Sequence, residues 1–264
     1  MRKHAFKITL LVVLGLFFLV SSCSDSTTGP DRDSVAKEPF YYRFQVFEQV
    51  LLTVSGVSGD ISITGSAWSD SIVVRGEKRV TSDSPDDALE HLDSISVEVT
   101  NEAGIVSAVT DQPEYSGGRL YEVDYDIVIP TDLAVSIAGV NGTISIDSVE
   151  KPVAAQVVNG TLSLADIIAS VTGSVVNGRI EGDVTLPPQA VVSMSVVNGE
   201  IDIQVPVSTS AMFSASFVNG GVSFPNLPLV DIVTAPGSLT GRLGEGDGTI
   251  GLSVVNGTII VRGF

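Results

Sequence analysis

From Phe40 onward, apolar side chains fall on alternate positions: Phe40, Tyr42, Phe44 and Val46, then Leu52 and Val54, Ile61 and Ile63, Ile72 and Val74. A period of two puts each set on one face of an extended chain, so these segments are predicted strands. The same alternation returns at Ile95 to Val99, at Ile105 to Val109 and at Tyr121 to Ile129, the last closed by Pro130. One stretch breaks it. Ser84, Pro85, Asp86 and Asp87 supply an N-cap, a first-turn proline and acidic first-turn residues, which predict a short helix over 85–93 with Ala88, Leu89 and Leu92 as its apolar face.

In the second half the alternation is punctuated by Asn-Gly, at Asn141-Gly142, Asn159-Gly160, Asn177-Gly178, Asn198-Gly199, Asn219-Gly220 and Asn256-Gly257, with intervals of 18, 18, 21, 21 and 37 residues. In every copy the second residue after glycine is apolar (Ile144, Leu162, Ile180, Ile201, Val222, Ile259), so the strands keep phase. Asn-Gly between alternating strands is also a hairpin signal, which makes an antiparallel meander the alternative. The period favours stacking: 18 residues make three sides of about six, and equivalent corners would lie about 4.8 Å apart. There asparagine side chains can hydrogen-bond up the stack, and glycine can take the positive φ of a corner. The predicted fold is all-β, a parallel β-solenoid of 18–21-residue coils with one short helix. Ser58-Gly59-Asp60-Ile61-Ser62-Ile63 reads as a first, degenerate copy. The long last interval reads as a surface insertion from Pro225 to about Gly248. Its glycine-rich Gly241 to Gly248 lacks the Lys-Ser or Lys-Thr end of a phosphate loop and reads as flexible.

The N-terminus has a different pattern. Basic Arg2, Lys3 and Lys7 precede thirteen uncharged residues, Ile8 to Val20, and then Ser21-Ser22-Cys23. Thirteen residues fall short of the ~20 that span a bilayer, so residues 1–22 read as a signal peptide. Small residues directly before the only cysteine resemble a lipobox, with Cys23 as the lipidated first residue of the mature chain. Residues 23–39, rich in Ser, Thr, Asp and Pro, read as a disordered tether, and 40–264 as the folded domain. The expected location is the bacterial cell envelope, lipid-anchored; Ser24, rather than Asp, after the cysteine favours the outer membrane. The chain's net charge of −17 becomes −20 without residues 1–22, which carry three basic and no acidic residues. Such acidity excludes nucleic acid as an expected partner and serves solubility.

The Val-Asn-Gly-x-Ile-x-Ile units, the Tyr125-Asp126-Ile127-Val128-Ile129-Pro130 strand and the Val57 to Ile63 unit resemble the bacterial putative-adhesin domain family of β-solenoid envelope proteins, over nearly all of Tyr41 to Phe264. The resemblance implies a solenoid and a non-enzymatic, adhesin-like or structural surface. It brings no catalytic residues, and the asparagines and glycines carry over only as corner residues.

Chemistry is sparse. His4 lies in the signal peptide, and His91 has no Cys or second His beside it in sequence, so neither a His-based metal site nor a Ser-His-Asp arrangement is indicated, and no cofactor is expected. Asp147, Asp166 and Asp183 lie six, seven and six residues after their asparagines. On stacked coils they would line up near Asp202 as a weak Ca²⁺ candidate or, with Arg179, as the acid and base of a polysaccharide-cleaving enzyme; the plainer reading is turn aspartates that aid solubility. Trp68 is the only tryptophan and lies outside the regular repeats, as do all five tyrosines, so a carbohydrate site would be expected near the N-terminal strands. The expected partners are a membrane, through the lipid, and an envelope polysaccharide or protein. A sensor or accessory domain for a membrane signalling partner is a further alternative.

Overall fold

The computed structural model describes residues 34–264. The signal peptide, Cys23 and His4 lie outside the described residues. In chain order the elements are β1 (Ser34–Gln45), β2 (Leu51–Ser55), β3 (Ile61–Ser66), β4 (Ser71–Ser82), α1 (Pro85–Glu90), a 3₁₀ turn (Leu92–Ser94), β5 (Ser96–Glu102), β6 (Ile105–Asp111) and β7 (Leu120–Pro130). They continue with β8 (Ala134–Asp147), β9 (Val153–Ile168), β10 (Val171–Thr185), β11 (Val191–Val205), β12 (Ala211–Ser223), β13 (Val230–Ala235), β14 (Ser238–Leu243) and β15 (Gly248–Gly263). All fifteen described strands belong to one sheet.

The middle of the sheet is parallel and in register. β8, β9, β10 and β11 pair in chain order, asparagine opposite asparagine and glycine opposite glycine. At each Asn-Gly the glycine takes a positive φ and the buried positions switch phase, which divides the strand into two arms. Inward residues of the second arm stack as Ile144, Leu162, Ile180, Ile201 and Ile259, all at most 2 % exposed. Burying each such side chain is worth roughly 1.5–3 kcal/mol, so this column is a main source of stability. A second turn comes about seven residues after the asparagine, where Ser148 (φ 58°) and Asp166 (φ 51°) take equivalent left-handed conformations.

Away from the middle the sheet is mixed and has free ends, which corrects the expectation of a uniformly parallel stack. β1 pairs antiparallel with β4, β4 with β7, and β5 with β6. At the other end β14 pairs antiparallel with β12, and β13 with β14. The segment expected to be a loop insertion is therefore largely a hairpin. Leu229, Leu239 and Leu243 are buried there, and that burial orders it. Its glycine-rich turn is also ordered: the Ser210 hydroxyl accepts from the N–H groups of Glu245, Gly246 and Asp247 at 3.0, 3.0 and 3.2 Å and donates to the Asp247 carboxylate at 2.8 Å.

Strand order also departs from chain order at both ends. β7 and β8 are consecutive in the chain, yet β3 lies between them and pairs in parallel with both. β11 and β12 are consecutive, yet β15 lies between them. The last two asparagine rungs are thus reversed relative to the sequence, Asn256 stacking on Asn198 and Asn219 on Asn256.

Two boundaries shift. Residues 34–39, expected in the tether, are paired in β1 from Ser34 opposite Ser82, with Lys37–Glu77 and Lys78–Glu38 ion pairs at 2.8 and 3.0 Å. A ladder along β4 satisfies their backbone groups despite the weak apolar pattern. The helix ends at Glu90 and hands over to the 3₁₀ turn; the Ser84 hydroxyl accepts the Asp87 N–H as its cap, and Ala88 and Leu92 are buried while Leu89 stays 66 % exposed.

Candidate binding surface

The outer corner of the bent strands carries the molecule's most regular array. Asparagine Nδ2 groups donate to the neighbouring Oδ1 from Asn219 to Asn256 (2.8 Å), Asn256 to Asn198 (2.8 Å), Asn198 to Asn177 (2.9 Å), Asn177 to Asn159 (2.9 Å) and Asn159 to Asn141 (3.0 Å). Asn141 ends the series on the Ser58 hydroxyl at 3.4 Å, so the degenerate first copy supplies a terminal acceptor in place of a seventh amide. Every bond runs in the same direction, and the side chains remain exposed.

Glycine is required at the corner for contact as well as conformation. Gly199 has φ 145°, and a Cβ there would lie 1.6 Å from the Gly178 carbonyl oxygen. Beside the ladder stands a half-exposed row of Val140, Val158, Val176, Val197 and Val255, ending at Val218, which is 70 % exposed. On its other side the register aligns Thr143, Thr161, Arg179, Glu200, Thr258 and Gly221. The first arms turn Ser136, Thr172, Ser193, Ser195, Ser214 and Ser216 outward. The whole surface is shallow and mostly hydroxyl and amide, suited to many weak contacts.

The aspartates predicted to line up do not form one column. Asp147 lies opposite Ala165, because Asp166 is displaced to the left-handed turn position equivalent to Ser148. Asp183 lies opposite Gln204, and its carboxylate accepts the Asp166 N–H at 3.0 Å. The one-residue difference between six and seven in their spacing is enough to separate Asp166 from Asp147. Asp202 is paired with Arg262, and Arg179 with Glu181 of its own strand at 3.1 Å. Among the described residues no group of three or more His, Cys, Asp or Glu is placed to hold a metal ion.

The N-terminal end uses carboxylates in the corner position. The Asp124 carboxylate accepts the Asp60 N–H at 2.9 Å, and Asp60 in turn accepts the Thr143 N–H at 2.7 Å. Arg79 bridges Glu122 and Asp124 at 3.1 and 2.7 Å. Asp60 was visible in the sequence as part of the degenerate copy and its partner Thr143 lies in the first regular one, but Asp124 of β7 and the Arg79 of β4 that it pairs with carry no repeat signal. His91 caps α1, its Nδ1–H donating to the Asp87 carbonyl at 2.9 Å. The Asp87 carboxylate is held well below the usual carboxylate range, chiefly by the Arg119 guanidinium and then by the Ser82 hydroxyl. This cluster fastens α1 to the loop before β7.

No family model matches the chain, and no curated protein matches it. Among solved structures it is similar to a putative cell adhesion protein from Clostridium sporogenes at 15 % identity and a TM-score of 0.49, covering 86 % of this chain and 100 % of that one. It is also similar to a putative adhesin from Bacteroides fragilis at 13 % identity and a TM-score of 0.29, covering 87 % and 98 %.

Proposed function

We propose that the chain is a lipid-anchored cell-envelope protein whose repeated corner is a non-enzymatic adhesive or structural surface, with β8 to β12 and β15 forming the coils of a β-solenoid. The observation that carries this reading is the six-rung asparagine ladder. It repeats the same amide and valine environment once per strand through β8 to β12 and β15. A partner with its own repeat, such as a polysaccharide or a fibrous envelope protein, would meet several equivalent weak contacts, and their joint effect exceeds any one of them. Cys23 would supply the anchor, in the outer membrane, with the domain on its periplasmic or surface face.

The test is retention of residues 24–264 on a panel of glycans and envelope fractions, with and without Ca²⁺, while product release is followed. Retention without products supports the reading, and dependence on Ca²⁺ would bring Asp147, Asp166 and Asp183 back as ligands. Released oligosaccharides would replace it with a carbohydrate-active enzyme. Metabolic labelling with palmitate, lost in Cys23→Ser, tests the anchor.

A further inference from the structure

Two strongly exposed aromatic rings, Phe47 and Trp68, sit on neighbouring loops at one tip, outside the repeated corner. Phe47 and Val50, in the loop between β1 and β2, are 83 % and 67 % exposed, and Trp68, between β3 and β4, is 96 % exposed. The two loops are joined: the Val46 N–H and the Gln45 side-chain amide both donate to the Asp70 carbonyl, at 2.9 and 3.0 Å. Large apolar side chains held in water at one place mark a contact surface more often than chance exposure does.

The loops are fixed in shape. Gln49 Oε1 accepts the N–H groups of Phe47 and Glu48 at 2.8 and 3.2 Å, while its Nε2 donates to Asn101 at 3.1 Å. The Val50 N–H donates to the Gly104 carbonyl at 2.8 Å, and the Ser69 hydroxyl donates to the Ser71 carbonyl at 2.7 Å. The backbone that carries the two rings is therefore held in place before a partner arrives. Beside them stand the exposed Asp70 carboxylate and the Arg43 guanidinium, 3.7 Å apart. Flat aromatic faces flanked by planar charged groups match a sugar ring, whose C–H face stacks while its hydroxyls accept from and donate to the flanking groups.

We propose that this tip, with Trp68 and Phe47 as stacking platforms and Asp70 and Arg43 as hydroxyl partners, binds a neutral hexose or N-acetylhexosamine chain. The proposal rests on the envelope-adhesive reading and adds to the repeated corner a second contact. Glu48 and Asp70 disfavour an anionic polymer or an anionic lipid surface.

Trp68 is the only tryptophan, so tryptophan emission reports on this tip alone. Residues 24–264 contain the whole of the compact unit Arg32–Phe264, its tip included. This chain is titrated with cellohexaose, with chitohexaose and with vesicles of phosphatidylethanolamine and phosphatidylglycerol, and in parallel is tested for retention on cellulose and chitin. The expected result is a saturable blue shift with at least one hexasaccharide, with half-saturation raised about tenfold by Phe47→Ala and unchanged by Lys151→Ala in the exposed turn between β8 and β9. A shift with vesicles alone would make the tip a membrane contact and overturn the proposal. Retention on a glycan with Trp68 emission unmoved would overturn this site and leave the adhesive reading standing. Neither retention nor a shift would overturn the proposal together with its glycan-binding basis.

Discussion

The middle of the sheet and its two ends are built from the same alternating strands, yet they obey different rules. In β8 to β11 each strand lies beside its neighbour in the chain, and the asparagines meet without offset. At each end a terminal segment is inserted out of chain order, β2 and β3 beside β8 at one end and β15 between β11 and β12 at the other. Local repeats can determine register because each rung presents the same corner to the next. They cannot determine order, since Asn219 and Asn256 are chemically interchangeable rungs. Order is determined by the segments attached to those rungs: β12 continues into the β13–β14 hairpin, which covers its outer side, whereas β15 carries no such cover and fills the slot inside.

The largest effect should come from emptying that slot. Without Gly248–Phe264, β11 and β12 lose their shared partner, and the core loses Ile250, Leu252, Val254, Ile259 and Val261. Each buried side chain is worth roughly 1.5–3 kcal/mol, so β12 to β14 should detach. Limited proteolysis of the shortened chain is expected to cut within 211–243 while β8 to β10 stay protected. Full protection of 211–243 would show that the hairpin holds itself and that β15 does not organise this end.

Next come the corner glycines, where the middle and the edge can be compared by one substitution. Gly199 lies between two paired strands, and Gly199→Ala would drive a methyl to 1.6 Å from the Gly178 carbonyl oxygen at φ 145°. Neither neighbour can retreat, so a loss of about 4 kcal/mol or more is expected in urea unfolding. Gly220 meets Gly257 at the same 1.6 Å, but its arm of β12 is paired on one side only, because β14 covers just Ala211 to Ser216. Gly220→Ala should therefore cost less, about 2 kcal/mol, as that arm moves outward. Gly221→Ala, with nothing within 4 Å, should be close to neutral. Equal losses at 199 and 220 would mean that the edge arm is as constrained as the middle.

This contrast also explains what was legible in the sequence. The Val-Asn-Gly spacing gave the corners, the inward column from Ile144 to Ile259 and the amide ladder, because each depends only on residues within one repeat and its copy. Ser84 and Pro85 located the helix for the same local reason. The antiparallel covers, the hairpin at 230–243 and the inserted strands depend on pairings between unlike segments, which no periodicity records. The aspartates show how narrow the margin is: Asp147 and Asp166 differ by one position in their coils, and that places one in a ladder and the other in a left-handed turn. Trp68 stood out as the sole tryptophan, whereas Phe47, in the unpatterned Val46 to Val50 stretch, acquired meaning only when the loops met.

Smaller effects are expected along the ladder. Asn177 both donates and accepts, so Asn177→Ala removes two amide bonds; Asn219 only donates within the ladder. At about 0.5–1.5 kcal/mol net for each bond, and toward the low end for exposed groups, Asn177→Ala should lose about twice what Asn219→Ala loses. Urea midpoints of the two variants measure this, and equal losses would show that the rungs act independently of their place in the series.

The last effect is confined to the N-terminal end and is read from the pH dependence of stability. Tyr125 of β7 is buried, its hydroxyl 2.7 Å from the Thr110 hydroxyl, and burial pushes its pKa up to about 12. In the unfolded chain a tyrosine ionises near ~10. Because the folded value is the higher one, the contribution of the protonated phenol is fully present below about 10 and is lost as the pH rises toward about 12. Stability should therefore fall over that window as the unfolded chain, but not the folded one, gives up this proton. Tyr125→Phe should flatten that part of the fall while lowering stability by about 1 kcal/mol at neutral pH, since Thr110 loses its partner. Asp87 gives the opposite sign at the same end. Its folded pKa is depressed, so its contribution is present above the usual carboxylate range and is lost only as the pH falls well below it. If the alkaline fall is unchanged in Tyr125→Phe, the loss arises from other groups, and the buried Tyr125–Thr110 pair does not govern how the N-terminal end responds to pH.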